Sequence, residues 1–146
     1  MTGRPIEILL VEDNEDDIVL IQEAFADAKL TNVINVVRDG EEALAYLRQE
    51  GKYRVARRPG LMLLDINMPK MNGFEVLDEI KKDPRYRSLP VIMLTTSERE
   101  EDIIRSYAKG ACSYIQKLID LNRFKTVIKQ FEGYWTLVSL IPPKKD

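Results

Sequence analysis

Three acids, a hydroxyl and an ammonium stand at the ends of apolar runs in this chain. Asp65 closes Leu61-Met62-Leu63-Leu64 and opens into Ile66-Asn67-Met68-Pro69. Glu12 and Asp13 close Ile8-Leu9-Leu10-Val11, Thr95 closes Val91-Ile92-Met93-Leu94, and Lys117 follows Tyr114-Ile115-Gln116. If these runs are parallel neighbouring strands, their carboxyl ends form the mouth where ligands gather in open α/β sheets, and the five side chains converge there. Acids held near one point repel strongly unless a cation neutralises them. Mg²⁺ suits such a set, because it takes carboxylate, carbonyl and water oxygens and leaves part of its shell for a phosphoryl group. Asp13 and Asp65 are the best direct ligands, Glu12 binds directly or through water, and Asn67 offers a backbone carbonyl on the tight turn. A carboxylate beside that ion can act as a nucleophile toward phosphorus. Phosphoryl transfer asks for positioning and charge neutralisation more than for acid and base groups. Mg²⁺ would take one oxygen, Lys117 a second, and the Thr95 hydroxyl with nearby backbone N–H groups the third.

Each residue alone has a plainer reading. A strand-ending Asp is commonly a turn former or helix cap, Glu12 and Asp13 could cap the first helix, Thr95 could be an ordinary β-branched residue, and Lys117 could be a solvated surface group. Their joint placement at successive strand ends favours a shared site.

The elements that would position them follow from hydrophobic period. Strand-length apolar runs at Ile6 to Glu12, Val33 to Val37, Leu61 to Asp65, Val91 to Thr95 and Ser113 to Gln116 alternate with helical segments at Asp16 to Lys29, Gly40 to Glu50, Gly73 to Lys82, Glu98 to Lys109 and Leu121 to Val138. Such alternation predicts a parallel sheet covered on both faces. The first helix would turn Ile18, Ile21, Phe25 and Ala28 inward, with Asn14 as its cap and an acidic first turn suited to the helix dipole. The runs Leu61 to Leu64 and Val91 to Leu94 are apolar throughout, which places them at or near the centre of the sheet. Between Glu50 and Gly60 lies a long basic loop carrying Lys52, Arg54, Arg57 and Arg58; it reads as a solvated insertion or as a contact surface for an acidic partner.

The totals narrow the function. At 146 residues the chain fits one domain, with little room for a fused DNA-binding domain. A formal charge of −2, without a basic stripe, argues against direct nucleic-acid binding. The single Cys112 excludes an internal disulfide, and zero histidines exclude an imidazole base, a phosphohistidine carrier and most zinc sites. With no membrane-length apolar stretch or signal segment, the expected location is the cytoplasm.

Four stretches taken together resemble the receiver domain of bacterial two-component response regulators: Leu10-Val11-Glu12-Asp13-Asn14, Leu63-Leu64-Asp65 through Asn72-Gly73, Pro90 through Thr95, and Gly110 through Lys117. The likeness runs from Ile6 to about Phe131, and four motifs in register are more specific than any one. It implies a flavodoxin-like, doubly wound (βα)5 fold with a five-stranded parallel sheet in the order 2-1-3-4-5, as one receiver domain over 1–146 with an extension at about 132–146. It further implies that Asp65 takes a phosphoryl group from a sensor histidine kinase, with Mg²⁺ held by Glu12, Asp13, Asp65 and the Asn67 carbonyl. Thr95 and Tyr114 would then form the conformational switch, and Asn67 and Ser97 would tune hydrolysis. Two departures stand out. Leu118 follows Lys117 where the family has a cis proline; a cis bond before Leu costs about 3 to 4 kcal/mol, so that loop is trans or held by tertiary contacts. The other departure is the insertion at Gly51 to Gly60.

The last helical segment carries Phe124, Val127, Ile128, Phe131, Trp135 and Val138 at helical spacing, and Tyr134, Leu137, Leu140 and Ile141 widen its apolar surface. That surplus predicts a homodimer through Phe131, Tyr134, Trp135, Leu137 and Val138, or a segment folded back on its own domain. The overall form resembles the small regulators paired with bacterial phytochrome kinases, acting through a separate downstream protein. Two other classes compete: a Mg²⁺-dependent phosphohydrolase working through an aspartyl phosphate, and an interaction scaffold that is never phosphorylated. The hydrolase needs a second acid two residues after its nucleophile, where this chain has Asn67; the scaffold has no use for five intact site residues.

Overall fold

The computed structural model describes residues 6–27, 32–95 and 100–116, the side chains of residues 95, 100, 113, 115 and 116 excepted. Five parallel strands, β1 (Ile8–Val11), β2 (Ile34–Val37), β3 (Leu61–Asp65), β4 (Val91–Thr95) and β5 (Ser113–Gln116), form one sheet in the order β2-β1-β3-β4-β5. Between them run α1 (Glu15–Asp27), α2 (Gly40–Leu47), α3 (Gly73–Lys82) and α4 (Glu100–Ala108). The flavodoxin-like order expected from the sequence is thus the observed one. The predicted fifth helix, with the whole proposed dimer surface, lies outside the described residues.

Strand side chains alternate between the two faces, so the sheet separates two cores. Leu9 and Val11 of β1, Met62 and Leu64 of β3, and Met93 of β4 meet α2 and α3 on one face. Ile8, Leu10, Leu61, Leu63, Ile92 and Leu94 meet Ile18, Ile21, Ala24 and Phe25 of α1 on the other. Every residue of β1 and β3 is buried, as a strand covered on both sides requires. On α1 the sequence nominated Ala28, which lies outside the described residues; Ala24 joins Ile18, Ile21 and Phe25 in the buried stripe.

Helix ends follow local chemistry. The Asn14 side chain accepts from the Asp17 N–H at 3.0 Å, the cap expected from the sequence, although α1 starts at Glu15 rather than Asp16. Asp39 caps α2 by accepting from the Glu42 N–H at 2.8 Å. Asn72 and Glu75 form a reciprocal capping box on α3. The expected end of α2 at Glu50 is too late: the helix stops at Leu47 and Gln49 takes a φ of 55°, a left-handed geometry that cannot continue it.

The insertion is more ordered than an open loop. Gly51–Tyr53 makes a single 3-10 turn. Tyr53 lies 5.2 Å from Tyr46, centroid to centroid, and donates to the Glu42 carboxylate at 2.6 Å, while Arg57 reaches Glu7 at 3.6 Å. No helix among the described residues is long and apolar enough to cross a membrane.

Candidate functional site

β1 and β3 are adjacent, with Val11 paired to Leu64, so the next residue on each strand, Glu12 and Asp65, emerges side by side at the carboxyl edge. Asp13 follows on the turn into α1. One carboxylate oxygen from each of Glu12, Asp13 and Asp65 lies within 4.8 Å of the other two. Glu12 is 0% exposed and Asp65 3%, whereas Asp13 faces solvent. The open acidic cleft around them, about 510 Å³, is also lined by Asn14, Glu15, Asp17 and Asn67.

Local backbone geometry explains how the acids are held. Glu12 accepts from the Asn14 N–H at 3.1 Å, which folds the strand end back into the start of α1. Beyond Asp65 the chain is pinned by Ile66 N–H donating to the Leu94 carbonyl at 3.1 Å and Gly73 N–H donating to the Ile66 carbonyl at 2.8 Å. This draws α3 so close to β3 that a Cβ on Gly73 would sit 2.4 Å from the Asp65 carbonyl oxygen. Only glycine allows that approach. Around the rim, Arg38 pairs with Glu15 at 2.6 Å and Lys70 with Asp39 at 3.7 Å, tying the loops after β1, β2 and β3 together. Arg38, Glu15 and Lys70 are largely solvated, so the two pairs add little stability.

Three clustered carboxylates with an amide beside them form an oxygen-only donor set. Such a set suits a hard divalent cation, whose charge offsets their repulsion, and does not suit zinc.

The predicted residues fall into three groups. Glu12, Asp13, Asp65 and Asn67 come together. Thr95 ends β4, one position past the Asp65–Leu94 pair and in register with Gln116, which places its backbone at the same edge. Tyr114 on β5 is half-buried against the core shared with α2 and α3. The Thr95 side chain, Ser97, Lys117 and the Lys117–Leu118 peptide lie outside what is described, as do Phe131, Tyr134, Trp135, Leu137 and Val138. Sequence reasoning assigned Asn14, Glu15 and Asp17 to helix capping alone, yet they also line the cleft. It placed Gly73 in the motif around Asp65 and at the start of α3, but gave it no part in the close approach of α3 to β3.

The model of the response regulator receiver domain matches residues 8–129. Response regulator Rcp1 of Synechocystis sp. is 39% identical over 138 residues, covering 94% of each chain. Among solved structures, the phosphorylated cyanobacterial phytochrome response regulator RcpA is 47% identical with a TM-score of 0.85, covering 97% of this chain and all of that one. The Mn²⁺-bound form of Rcp1 superposes with a TM-score of 0.84 at 39% identity, over 95% of this chain and all of that one. The divalent cation in that relative agrees with the oxygen donor set at the carboxyl edge of this sheet. With its strand order, its acidic edge and a match across most of its length, the chain belongs to the response regulator receiver domain family.

Proposed function

We propose that Asp65 is the phosphoacceptor of a Mg²⁺-dependent response regulator that signals by changing shape. The observation that carries this is the buried Asp65 carboxylate, held within 4.8 Å of Glu12 and Asp13 oxygens at the mouth of the sheet. The donor is a phosphohistidine on a sensor kinase: an Asp65 carboxylate oxygen bonds to phosphorus as the P–N bond breaks, and the freed imidazole takes up a proton.

This chain's residues have separate tasks. Glu12, Asp13, Asp65 and the Asn67 carbonyl would hold Mg²⁺, which when bound offsets charge on the phosphoryl oxygens. Burial fixes the Asp65 rotamer and limits water around the acyl phosphate. Lys117 and Thr95, following β5 and ending β4, bind the remaining phosphoryl oxygens. Movement of Thr95 toward the phosphoryl group leaves room for Tyr114 to turn inward, which reshapes the surface of α4 and β5. Asn67 and Ser97 flank the path of hydrolytic water. Asn67 bears no titratable proton, which supports a slow-clearing phosphoacceptor over an enzyme acting on separate substrates.

The likeness to Rcp1 and to the phytochrome regulator RcpA supports a phytochrome-type histidine kinase as donor, in the cytoplasm where its catalytic domains lie. The unit is a single receiver domain with a C-terminal extension, which forms a homodimer through its apolar face and passes the signal to a separate protein.

Intact mass after incubation with Mg²⁺ and acetyl phosphate tests the assignment. One phosphoryl adduct, absent in Asp65→Asn and in excess chelator, is the expected result. Sustained release of phosphate over many turnovers would make the protein a phosphohydrolase, and a persistent adduct in Asp65→Asn would move the acceptor elsewhere.

A further inference from the structure

α3 and α4 meet along a polar seam. Among the described residues, no α4 side chain belongs to either hydrophobic core. Ile104 and Tyr107 face solvent, and the buried Ser106 donates to the Asp102 carbonyl of its own helix at 2.8 Å. A helix with so little apolar anchorage depends on its polar contacts for its position, and such elements come from the low-stability end of a fold.

The seam follows helical period. Phe74, Asp78 and Lys81 stand four and three residues apart and form one stripe along α3, while Arg105 and Lys109 stand four apart at the end of α4. The two stripes meet in order. The Arg105 guanidinium lies 4.2 Å from the Phe74 ring centroid, and Lys109 Nζ donates to both Asp78 carboxylate oxygens at 2.9 and 3.0 Å. Gly110, with a φ of 100°, sits so close to the Lys81 stem that a Cβ there would lie 2.7 Å from its Cε. The Lys109 side chain is 26% exposed and that of Asp78 42%, so the pair is half-sheltered and opens at modest cost.

One end of the seam reaches the acidic site. Phe74 follows Gly73, whose N–H donates to the Ile66 carbonyl and whose backbone lies against the Asp65 carbonyl. α4 in turn follows β4, which ends at the same edge of the sheet as Asp65. A shift of the β4 end toward a phosphoryl group on Asp65 would be passed to α4 and resisted at the seam.

We propose that the seam is a latch: Arg105 on Phe74 and Lys109 on Asp78 hold α4 in its resting place and so oppose phosphoryl occupancy at Asp65. The inference rests on Asp65 being the phosphoacceptor. Linkage fixes its sign, because if occupancy opens the latch, opening the latch by substitution favours occupancy. Arg105 and Lys109 are then positioning residues that act on Asp65 through α3 and β4.

Beryllofluoride, which mimics an aspartyl phosphoryl group, titrated with Mg²⁺ into the full chain reads occupancy, and hydrogen exchange of the α4 amides reads the latch. Beryllofluoride should speed α4 exchange in the unsubstituted protein. Lys109→Met and Arg105→Gln should speed α4 exchange without any ligand and bind beryllofluoride about threefold more tightly, the share of one half-sheltered contact. Lys109→Arg, which keeps the charge opposite Asp78, should match the unsubstituted protein in both. A loss of helix packing alone would speed exchange without tightening binding, so unchanged or weaker binding by Lys109→Met would overturn the proposal. Unchanged α4 exchange in both opening variants would also overturn it, and that readout needs no phosphoryl group. An unsubstituted protein that binds no beryllofluoride would overturn the Asp65 reading and the coupling with it, whereas α4 exchange would still show whether the seam holds the helix.

Discussion

Glu12 and Asp65 are buried while Asp13 faces water, and this difference governs how the three respond to change. Removing Asp13 leaves the two buried acids in place and deletes one exposed ligand. Asp13→Asn should therefore weaken Mg²⁺ binding about tenfold or more by calorimetric titration, yet raise the melting temperature of the metal-free protein by relieving repulsion. A melting temperature that falls instead would mean that Asp13 holds the turn mainly as a structural acceptor. A second residue-scale pair titrates. The Glu42 carboxyl is held below its ordinary 4.5, chiefly by the Tyr53 hydroxyl, and burial with the hydrogen bond to Glu42 pushes the Tyr53 phenol up to about 12. The Glu42 contribution to stability is present above 4.5 and lost as pH falls through the lower folded value. That of Tyr53 is present below about 10 and lost as pH rises toward 12. Tyr53→Phe should cost about 1 kcal/mol near neutral pH and flatten both limbs in urea melts. Equal pH dependence in the two proteins would contradict this. The acids were legible in the sequence because each ends an apolar run. The packing of Arg58 and Arg85 against the Tyr86 ring, at 5.4 and 5.1 Å from its centroid, was not, because the two arginines belong to different loops that no period links.

At the scale of elements, Gly73 decides how closely α3 can approach the end of β3. Alanine is a better helix former than glycine by about 1 kcal/mol, but its Cβ would lie 2.4 Å from a carbonyl oxygen that cannot rotate away. The clash wins, so Gly73→Ala should lose about 1 to 3 kcal/mol in denaturant unfolding and slow phosphoryl uptake by displacing Asp65. Unchanged stability would show that β3 and α3 can separate freely. Strands and helices were readable where period and length agreed, as in β3, α3 and β4, whose expected and observed limits coincide. Boundaries failed where conformation rather than composition sets the end, as at Gln49 with its positive φ. The insertion looked loose because its anchors follow no strand or helix period: Tyr53 packs on nearby Tyr46 across the end of α2, and Arg57 reaches Glu7, which is distant in sequence.

At the scale of the whole molecule, the carboxylates of Glu12, Asp13 and Asp65 gather where β1 and β3 end. The strand order puts β1 and β3 together at the centre, which is what joins acids more than fifty residues apart in sequence into one site. Strand order was legible only through the family likeness, since alternation alone allows several parallel arrangements. Everything proposed about signalling depends on which side chain becomes phosphorylated. The direct measurement is borohydride reduction of protein treated with Mg²⁺ and acetyl phosphate, followed by peptide mass mapping, because an acyl phosphate on aspartate is reduced to homoserine. Homoserine at position 65 alone, absent without Mg²⁺, is the predicted result. Reduction at Asp13 or at another acid, or none despite a stable phosphoryl adduct, would contradict it.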